Sequence, residues 1–243
     1  MGLTEPANNL PEDHARRVRE MFARISPRYD LLNHLLSGNI DRRWRRRVVK
    51  TLVPLLPANA QVLDVACGTG DLSIEFFEAS KAKIIGLDFC RPMLDLAKAK
   101  TRDVQLIEGD ALRLPFADGT FDAVTIGFGL RNLSSVEDGL RELRRILKPN
   151  GWVAVLEFST PVRGLRGMVG FYNARVLPRL GGWLSGSRSA YEYLPDSISH
   201  FPNQPELAAM MRDAGFAEVK FENLTGGVAA LHFGRRGGTD FSL

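Results

Sequence analysis

The 243-residue chain is 44% hydrophobic and 25% charged, an ordinary globular composition that excludes a disordered chain and supplies a sizeable core. Its net charge of +4 permits contact with RNA or an anionic lipid surface but demonstrates neither. Two cysteines outside any CxxC or Cys/His pattern exclude a disulfide framework and a zinc site, so no metal is expected. No apolar run nears the roughly 18 residues that span a bilayer, and the N-terminus lacks a signal's apolar stretch, so a soluble, cytoplasmic protein is expected.

Residues 1–11 carry Pro6, Asn8, Asn9 and Pro11 and read as a loose tail. Val18, Met21, Phe22 and Ile25 then recur at helical spacing until Pro27. Leu31, Leu32, Leu35 and Leu36 form a second apolar stripe closed by Gly38, and Trp44, Val48, Val49, Leu52 and Val53 a third, ended by Pro54 and Pro57. The texture then changes. Gln61–Ala66, Lys83–Asp88, Val104–Asp110, Phe121–Phe128 and Trp152–Phe158 read as strands, with helical patterns after the first two and a charged amphipathic helix from about Ser135 to Leu147, stopped by Pro149, Asn150 and Gly151. That alternation predicts a parallel sheet with helices on both faces. Residues 159–202, rich in Gly, Arg, Ser and aromatics, break the rhythm and read as an insertion over the sheet's active edge. A helix from Pro205 to Gly215 follows, then a closing antiparallel pair with Gly226–Gly227 at its turn.

The sharpest signal is Asp64-Val65-Ala66-Cys67-Gly68-Thr69-Gly70-Asp71 at a strand–loop–helix junction, where glycines let the backbone approach a ligand. Asp88, at the end of the second strand, is placed to accept from ribose hydroxyls, and Asp110, followed by Ala111, to accept from an adenine amino group. A dinucleotide site would want a third small glycine and a bare helix N-terminus for the pyrophosphate. Here Ser73 takes the glycine's place and Asp71 occupies the anion's. A carboxylate suits a ligand carrying an ammonium and a sulfonium, which points to S-adenosylmethionine. Asp64, Gly68, Thr69, Gly70, Asp88, Phe89, Asp110 and Ala111 are the candidate cofactor residues.

The segments MFARISPRYDLLNHLLSGNIDRRWRR, LDVACGTGDL, GLDFCRPML, LPFADGTFDAVTIGFGLRN, RILKPNGWVAVLEFSTP and LTGGVAALHFG also resemble the menaquinone and ubiquinone biosynthesis C-methyltransferases, from about Met21 to Arg235. The resemblance implies a class I S-adenosylmethionine methyltransferase: a Rossmann-like, mostly parallel seven-stranded sheet with helices on both faces and an antiparallel last strand. It implies that Thr69, Asp88 and Asp110–Ala111 bind the cofactor. Some relatives have serine where this chain has Gly127, so Gly127 is left out of the site. On this reading residues 1–56 are a tail and helical cap, and residues 57–243 the methyltransferase domain, with the insertion at about 159–202 covering the substrate.

The expected reaction moves a methyl group from S-adenosylmethionine to a ring carbon of a prenylated quinol, demethylmenaquinol to menaquinol or demethylphylloquinol to phylloquinol. A dual-substrate enzyme that also takes the benzoquinol precursor of ubiquinone is the alternative. Carbon methylation needs a ring hydroxyl (ordinary pKa ~10) to lose its proton, so a cation or hydrogen-bond donors should face that oxygen. Arg131 and Asn132, after the fourth strand, are assigned here, Arg131 stabilising the developing phenolate and Asn132 orienting it. Arginine stays charged, so water or His200 would take the proton. Tyr29, Phe171, Tyr172, Tyr191 and Tyr193 are expected to wall an apolar cavity for the ring and tail. The basic run Arg42-Arg43-Trp44-Arg45-Arg46-Arg47 is either a contact with anionic headgroups, with Trp44 at the interface, or a solvated face on a helix whose other side packs inward. A homodimer is open. An RNA methyltransferase would want an appended RNA-binding module, and none is read, so no nucleic-acid partner is expected. A silent methyltransferase fold need not keep the intact loop and both acidic strand ends.

Overall fold

The computed structural model describes residues 11–171, Arg175 and residues 188–238. Three helices lead the chain: α1 (Pro11–Ile25), α2 (Tyr29–Ser37) and α3 (Ile40–Leu52). Val18, Met21 and Ile25 of α1 are buried, as the periodicity predicts, and α3 buries Trp44, Val48, Val49 and Leu52 against the sheet. In the second stripe Leu31 is exposed, and the side chains of Leu32, Leu35 and Leu36 lie outside the described residues.

The sheet is built from β1 (Gln61–Val65), β2 (Lys83–Asp88), β3 (Gln105–Glu108), β4 (Phe121–Gly127), β5 (Leu147–Phe158), β6 (Phe216–Leu224) and β7 (Ala229–Arg236). Its order is β3-β2-β1-β4-β5-β7-β6. The first five strands are mutually parallel and β7 pairs antiparallel with both β5 and β6, the expected architecture. Helices α4 (Asp71–Ser80), α5 (Arg91–Lys100), α6 (Val136–Ile146) and α9 (Gln204–Asp213) cover it, and α7 (Arg163–Phe171) and α8 (Arg188–His200) fall in the segment read as an insertion.

Alternate strand residues enter two cores, as a pleated strand buried on both faces requires. Leu63, Val65, Val124, Ile126, Val153 and Val155 pack with Leu140, Leu143 and Ile146 of α6 and with Leu207 and Met211 of α9. Val62, Ile84, Ala123, Ala154 and Leu156 pack on the other face with α3 and with Phe76 of α4. Each fully buried Val, Leu, Ile, Met or Phe among these stabilises the fold by roughly 1.5–3 kcal/mol. Helix α6 starts where Ser135 Oγ accepts from the Asp138 amide, and α9 where Asn203 and Glu206 form a capping box.

One boundary differs from the reading of the sequence. Strand β5 begins at Leu147, paired with Phe121, and resumes its register at Trp152 opposite Ala123. Pro149, Asn150 and Gly151 stop the helix but form an irregularity inside the strand, with Asn150 at a φ of 65°. The closing hairpin turns where expected, with Thr225, Gly226 and Gly227 all at positive φ. Among the described residues no helix is long and apolar enough to cross a membrane.

Candidate active site

The strand order reverses between β1 and β4, and the crevice past their carboxyl ends is where an open α/β sheet receives a ligand. A cavity of about 620 Å³ lies there, walled by Gly68, Asp88, Phe89, Asp110, Ala111, Gly127, Phe128 and Asn132 from the sheet edge, and by Arg19, Phe22 and Tyr29 from the leading helices.

The loop after β1 is built by left-handed backbone at Ala66, Gly68 and Gly70. At Gly68 a Cβ would meet nothing within 4 Å, so the missing side chain leaves open space at the cavity wall. At Gly70 it would press on Ala97 Cβ at 3.2 Å, so that glycine serves the packing of the loop on α5. The amides of Gly68 and Cys90 each donate to Asp88, at 2.8 Å to Oδ2 and Oδ1 respectively. Burial pushes the Asp88 carboxyl up in pKa, while those backbone N–H groups pull it back down. Each oxygen keeps a second acceptor site for a ligand hydroxyl. Asp110 accepts from the Leu112 amide at 2.9 Å and borders the cavity beside Ala111.

Three of the expected cofactor residues stand behind this wall. Asp64 is buried, accepting from Ser73 Oγ at 2.6 Å and Thr125 Oγ1 at 2.8 Å, and burial raises its pKa to about 6. It fixes the start of α4 to β1 and β4. Gly70 packs as described, and Thr69 donates to Asp30 Oδ1 at 2.5 Å while accepting from Lys100 Nζ at 3.0 Å. Asp71, read as a neighbour for the ligand's positive groups, is instead committed to Lys100 at 2.7 Å and Arg45 at 3.2 Å. Lys100 also pairs with Asp30 at 2.6 Å, so α2, α4 and α5 meet at one lysine.

The substrate-side expectations divide. Asn132 borders the cavity; its Nδ2 donates to the Phe128 carbonyl at 3.3 Å, and its Oδ1 accepts from the Tyr193 hydroxyl at 3.1 Å. Tyr29 lines the cavity edge-on to Phe22, with ring centroids 6.0 Å apart. Arg131, expected to face the substrate, turns away from the cavity. Its Nη1 donates to Glu157 Oε1 and to the Phe128 carbonyl, each at 2.6 Å, because the Glu157 carboxylate is buried in β5 and needs a countercharge. His200 sits exposed on the last turn of α8, bonded to the Asp196 carbonyl at 2.9 Å, away from the cavity. Phe171 is exposed, not part of a cavity wall. Tyr172 and the side chain of Tyr191 lie outside the described residues.

The basic run is likewise redistributed. Trp44 is not at an interface: it is buried against Phe128 and Phe158, and its Nε1 donates to Thr225 Oγ1 at 2.9 Å. Arg45 pairs with Asp41 and Asp71, Arg46 with Glu75 and Arg47 with Glu222, which leaves Arg42 and Arg43 as the exposed arginines of the run without such a pair among the described residues.

Arg19, Phe22, Phe128 and Glu157 were not foreseen. Glu157 carried a signal, since a lone acid inside an apolar strand must find a buried partner. Arg19 lies over the Phe89 ring at 5.4 Å, a contact no sequence spacing announces.

Residues 11–236 match the model of the ubiE/COQ5 methyltransferase family. The chain is 50% identical over 222 residues to a demethylmenaquinone methyltransferase of Thermus thermophilus, covering 89% of this chain and 100% of that one. It is 47% identical to the demethylmenaquinone methyltransferase of Deinococcus radiodurans, covering 92% and 94%. It is 43% identical to the ubiquinone/menaquinone biosynthesis C-methyltransferase UbiE of Citrifermentans bemidjiense, covering 92% and 98%. Among solved structures, a methyltransferase of Thermotoga maritima that depends on S-adenosylmethionine shares the fold at a TM-score of 0.65 and 22% identity, over 89% of this chain and 98% of that one. The [4+2]-cyclase SpnF shares it at 0.67 and 18%, over 92% and 96%. The chain belongs to the ubiE/COQ5 methyltransferase family.

Proposed function

We propose that this protein transfers a methyl group from S-adenosylmethionine to a ring carbon of a prenylated naphthoquinol, converting demethylmenaquinol to menaquinol. The observation that carries the reading is near-full-length similarity to two demethylmenaquinone methyltransferases, over a cavity with carboxylates at the ends of two strands. The cavity's chemistry suits the cofactor: Asp88 has acceptor capacity for ribose hydroxyls, Asp110 for the adenine amino group, and Phe89 and Ala111 give an apolar bed for a flat base. Gly68 leaves room beside Asp88. When bound, S-adenosylmethionine supplies the electrophilic methyl group and the intrinsic reactivity.

The chain's own residues then have three tasks: to align the ring, to exclude water and to favour the phenolate. Phe22, Tyr29 and Phe128 give the ring apolar walls and keep water from it. Asn132 is the polar group that addresses a ring hydroxyl. Its amide is oriented by the Phe128 carbonyl on one side and Tyr193 on the other. Arg131 is a positioning residue, holding the Phe128 carbonyl and Glu157 while Asn132 meets the ligand. Among the described residues no histidine lines the cavity, and on this reading water takes the proton.

Similarity to a ubiquinone/menaquinone enzyme favours a second reading, a chain that also methylates a benzoquinol. Methyl transfer from labelled S-adenosylmethionine to two reduced short-tailed acceptors, a demethylnaphthoquinol and a benzoquinol, decides it. Labelling of the naphthoquinol alone is the expected result, and labelling of both establishes the dual-substrate enzyme. Labelling of neither, with the cofactor bound, would discard the quinol assignment.

A further inference from the structure

Helix α7 offers a surface that the proposed chemistry leaves unused. Leu165 anchors it: a Cβ on Gly226 would meet Leu165 Cδ1 at 2.3 Å, and the Val162 amide donates to the Gly226 carbonyl at 2.9 Å. At 100° per residue, Met168 and Phe171 lie together on another side of the helix with Gly164 and Gly167. Met168 is 65% exposed and Phe171 63%, unusually open for large apolar side chains one helical turn apart. Cβ atoms built on Gly164, Gly167 and Gly170 meet nothing within 4 Å, so no described residue stands over them. Arg163 borders this face, and Arg166 lies on the opposite side of the helix with its Nε donating to the Pro161 carbonyl at 3.0 Å; both are exposed.

The sequence extends the pattern. From Phe158 to Tyr191 there are five arginines, Arg163, Arg166, Arg175, Arg179 and Arg188, and no aspartate or glutamate. Such a single-sign stretch, interleaved with apolar residues, is complementary to an anionic lipid surface and repelled by a basic one. The helix follows β5 at the carboxyl edge of the parallel strands, the edge on which the cavity opens.

We propose that α7 is the membrane-docking element of this protein, inserting Met168 and Phe171 among the acyl chains of an anionic bilayer while Arg163 and Arg166 pair with lipid phosphates. This rests on the reading of the substrate as a prenylated, lipid-soluble quinol, which must be collected from the bilayer. It moves the contact away from the Arg42–Arg47 run, most of which is spent on ion pairs within the fold.

The test is flotation or sedimentation of the full chain with vesicles of phosphatidylcholine alone and of phosphatidylcholine with phosphatidylglycerol. The chain should bind the anionic vesicles and lose affinity as salt rises. Arg163→Gln with Arg166→Gln should bind about thirty-fold more weakly, and Met168→Ser with Phe171→Ser at least about ten-fold more weakly. Arg42→Gln with Arg43→Gln should bind as the unaltered chain does. All variants should methylate a short-tailed soluble quinol at the original rate, since none touches the cavity. Undiminished vesicle binding by both α7 variants, or no binding by the parent chain, overturns the proposal. So does a Met168/Phe171 variant that instead dissociates a dimer, which would make the face a self-association surface. Failure of quinol turnover with vesicle binding intact would overturn the substrate reading and leave the docking surface standing.

Discussion

Arg131 donates to Glu157 at 2.6 Å in a pair that leaves only 7% of the arginine side chain and 1% of the glutamate exposed. The guanidinium also lies over the Phe158 ring at 5.3 Å and holds the Phe128 carbonyl. Burial pushes the Glu157 carboxyl up in pKa, and Arg131 is the main influence opposing it. The sequence motif and the buried pair thus describe one device, an arginine that braces the loop carrying Asn132.

That arrangement separates bracing from direct catalysis. Removing one partner of a buried pair costs about 3–5 kcal/mol because the other is left uncompensated. Arg131→Met and Glu157→Gln should therefore both lower stability and reduce kcat, with cofactor affinity nearly unchanged. Arg131→Met combined with Glu157→Leu should regain most of the stability. A Glu157→Gln enzyme with undiminished kcat, beside an inactive Arg131→Met, would show that the arginine acts on the substrate itself. Urea titrations and steady-state kinetics on the three variants decide.

The two loop glycines should fail in different ways. Both have positive φ, so alanine at either costs about 1 kcal/mol in backbone strain. Gly68→Ala has space for its methyl group, and that space is the cavity wall, so its principal effect should be weaker S-adenosylmethionine binding. Gly70→Ala adds a collision with Ala97 and should be the less stable of the two. Calorimetric binding and thermal melting, run on both, would contradict this if the order of either effect reversed.

The sheet was legible because its strands are short apolar runs ended by Asp64–Asp71, Asp88 and Asp110, and strand ends are where this architecture puts chemistry. Asp88 and Asp110 could be placed from spacing alone. Arg131 could not, because spacing puts a residue on a loop but says nothing of where a long side chain points. Its direction is decided by Glu157, 26 residues away and on a different strand. The interface reading of Trp44 fails for a related reason, while the apolar stripe it shares with Val48 is buried as expected. Five surrounding arginines dominate the composition of that run, while the helical period turns Trp44 inward with Val48. Lys100 gave no signal, since a lysine at a helix end is ordinarily solvated.

Lys100 joins the cap to the cofactor loop, pairing with Asp30 of α2 at 2.6 Å and Asp71 of α4 at 2.7 Å. The three side chains are between a quarter and a third exposed, so solvent screening holds the pairs to about 1 kcal/mol together. Lys100→Met should change global stability by no more than that. Its clearer consequence should be faster amide hydrogen exchange in α2, with exchange in β4 unchanged, because the cap loses its tie while the core keeps its packing. Raising the salt concentration should move the parent chain toward the variant. Equal exchange in α2 for the two proteins would remove the lysine from this role.

Asp64 makes stability depend on pH in a direction opposite to most carboxylates. Its pKa rises from an ordinary 3.8 to about 6 in the folded chain, chiefly through burial, against the lowering effect of the Ser73 and Thr125 hydroxyls. Between those two values the folded state binds the proton and the unfolded state does not. Stability from this group is therefore present at low pH, falls as pH rises through that window, and is constant above it. A shift of this size corresponds to about 3 kcal/mol. Asp41 and Glu142, held low by their partners, slope the other way, so the parent chain's total profile mixes both signs. The contribution of Asp64 is isolated by difference. Asp64→Asn cannot ionise, so the parent should lose stability relative to the variant between pH 4 and about pH 6, and keep a constant offset above pH 7. Urea titrations at four or five pH values measure the offset directly. Parallel curves through that window would mean that Asp64 is ionised throughout, with Ser73 and Thr125 outweighing the cost of burying its charge.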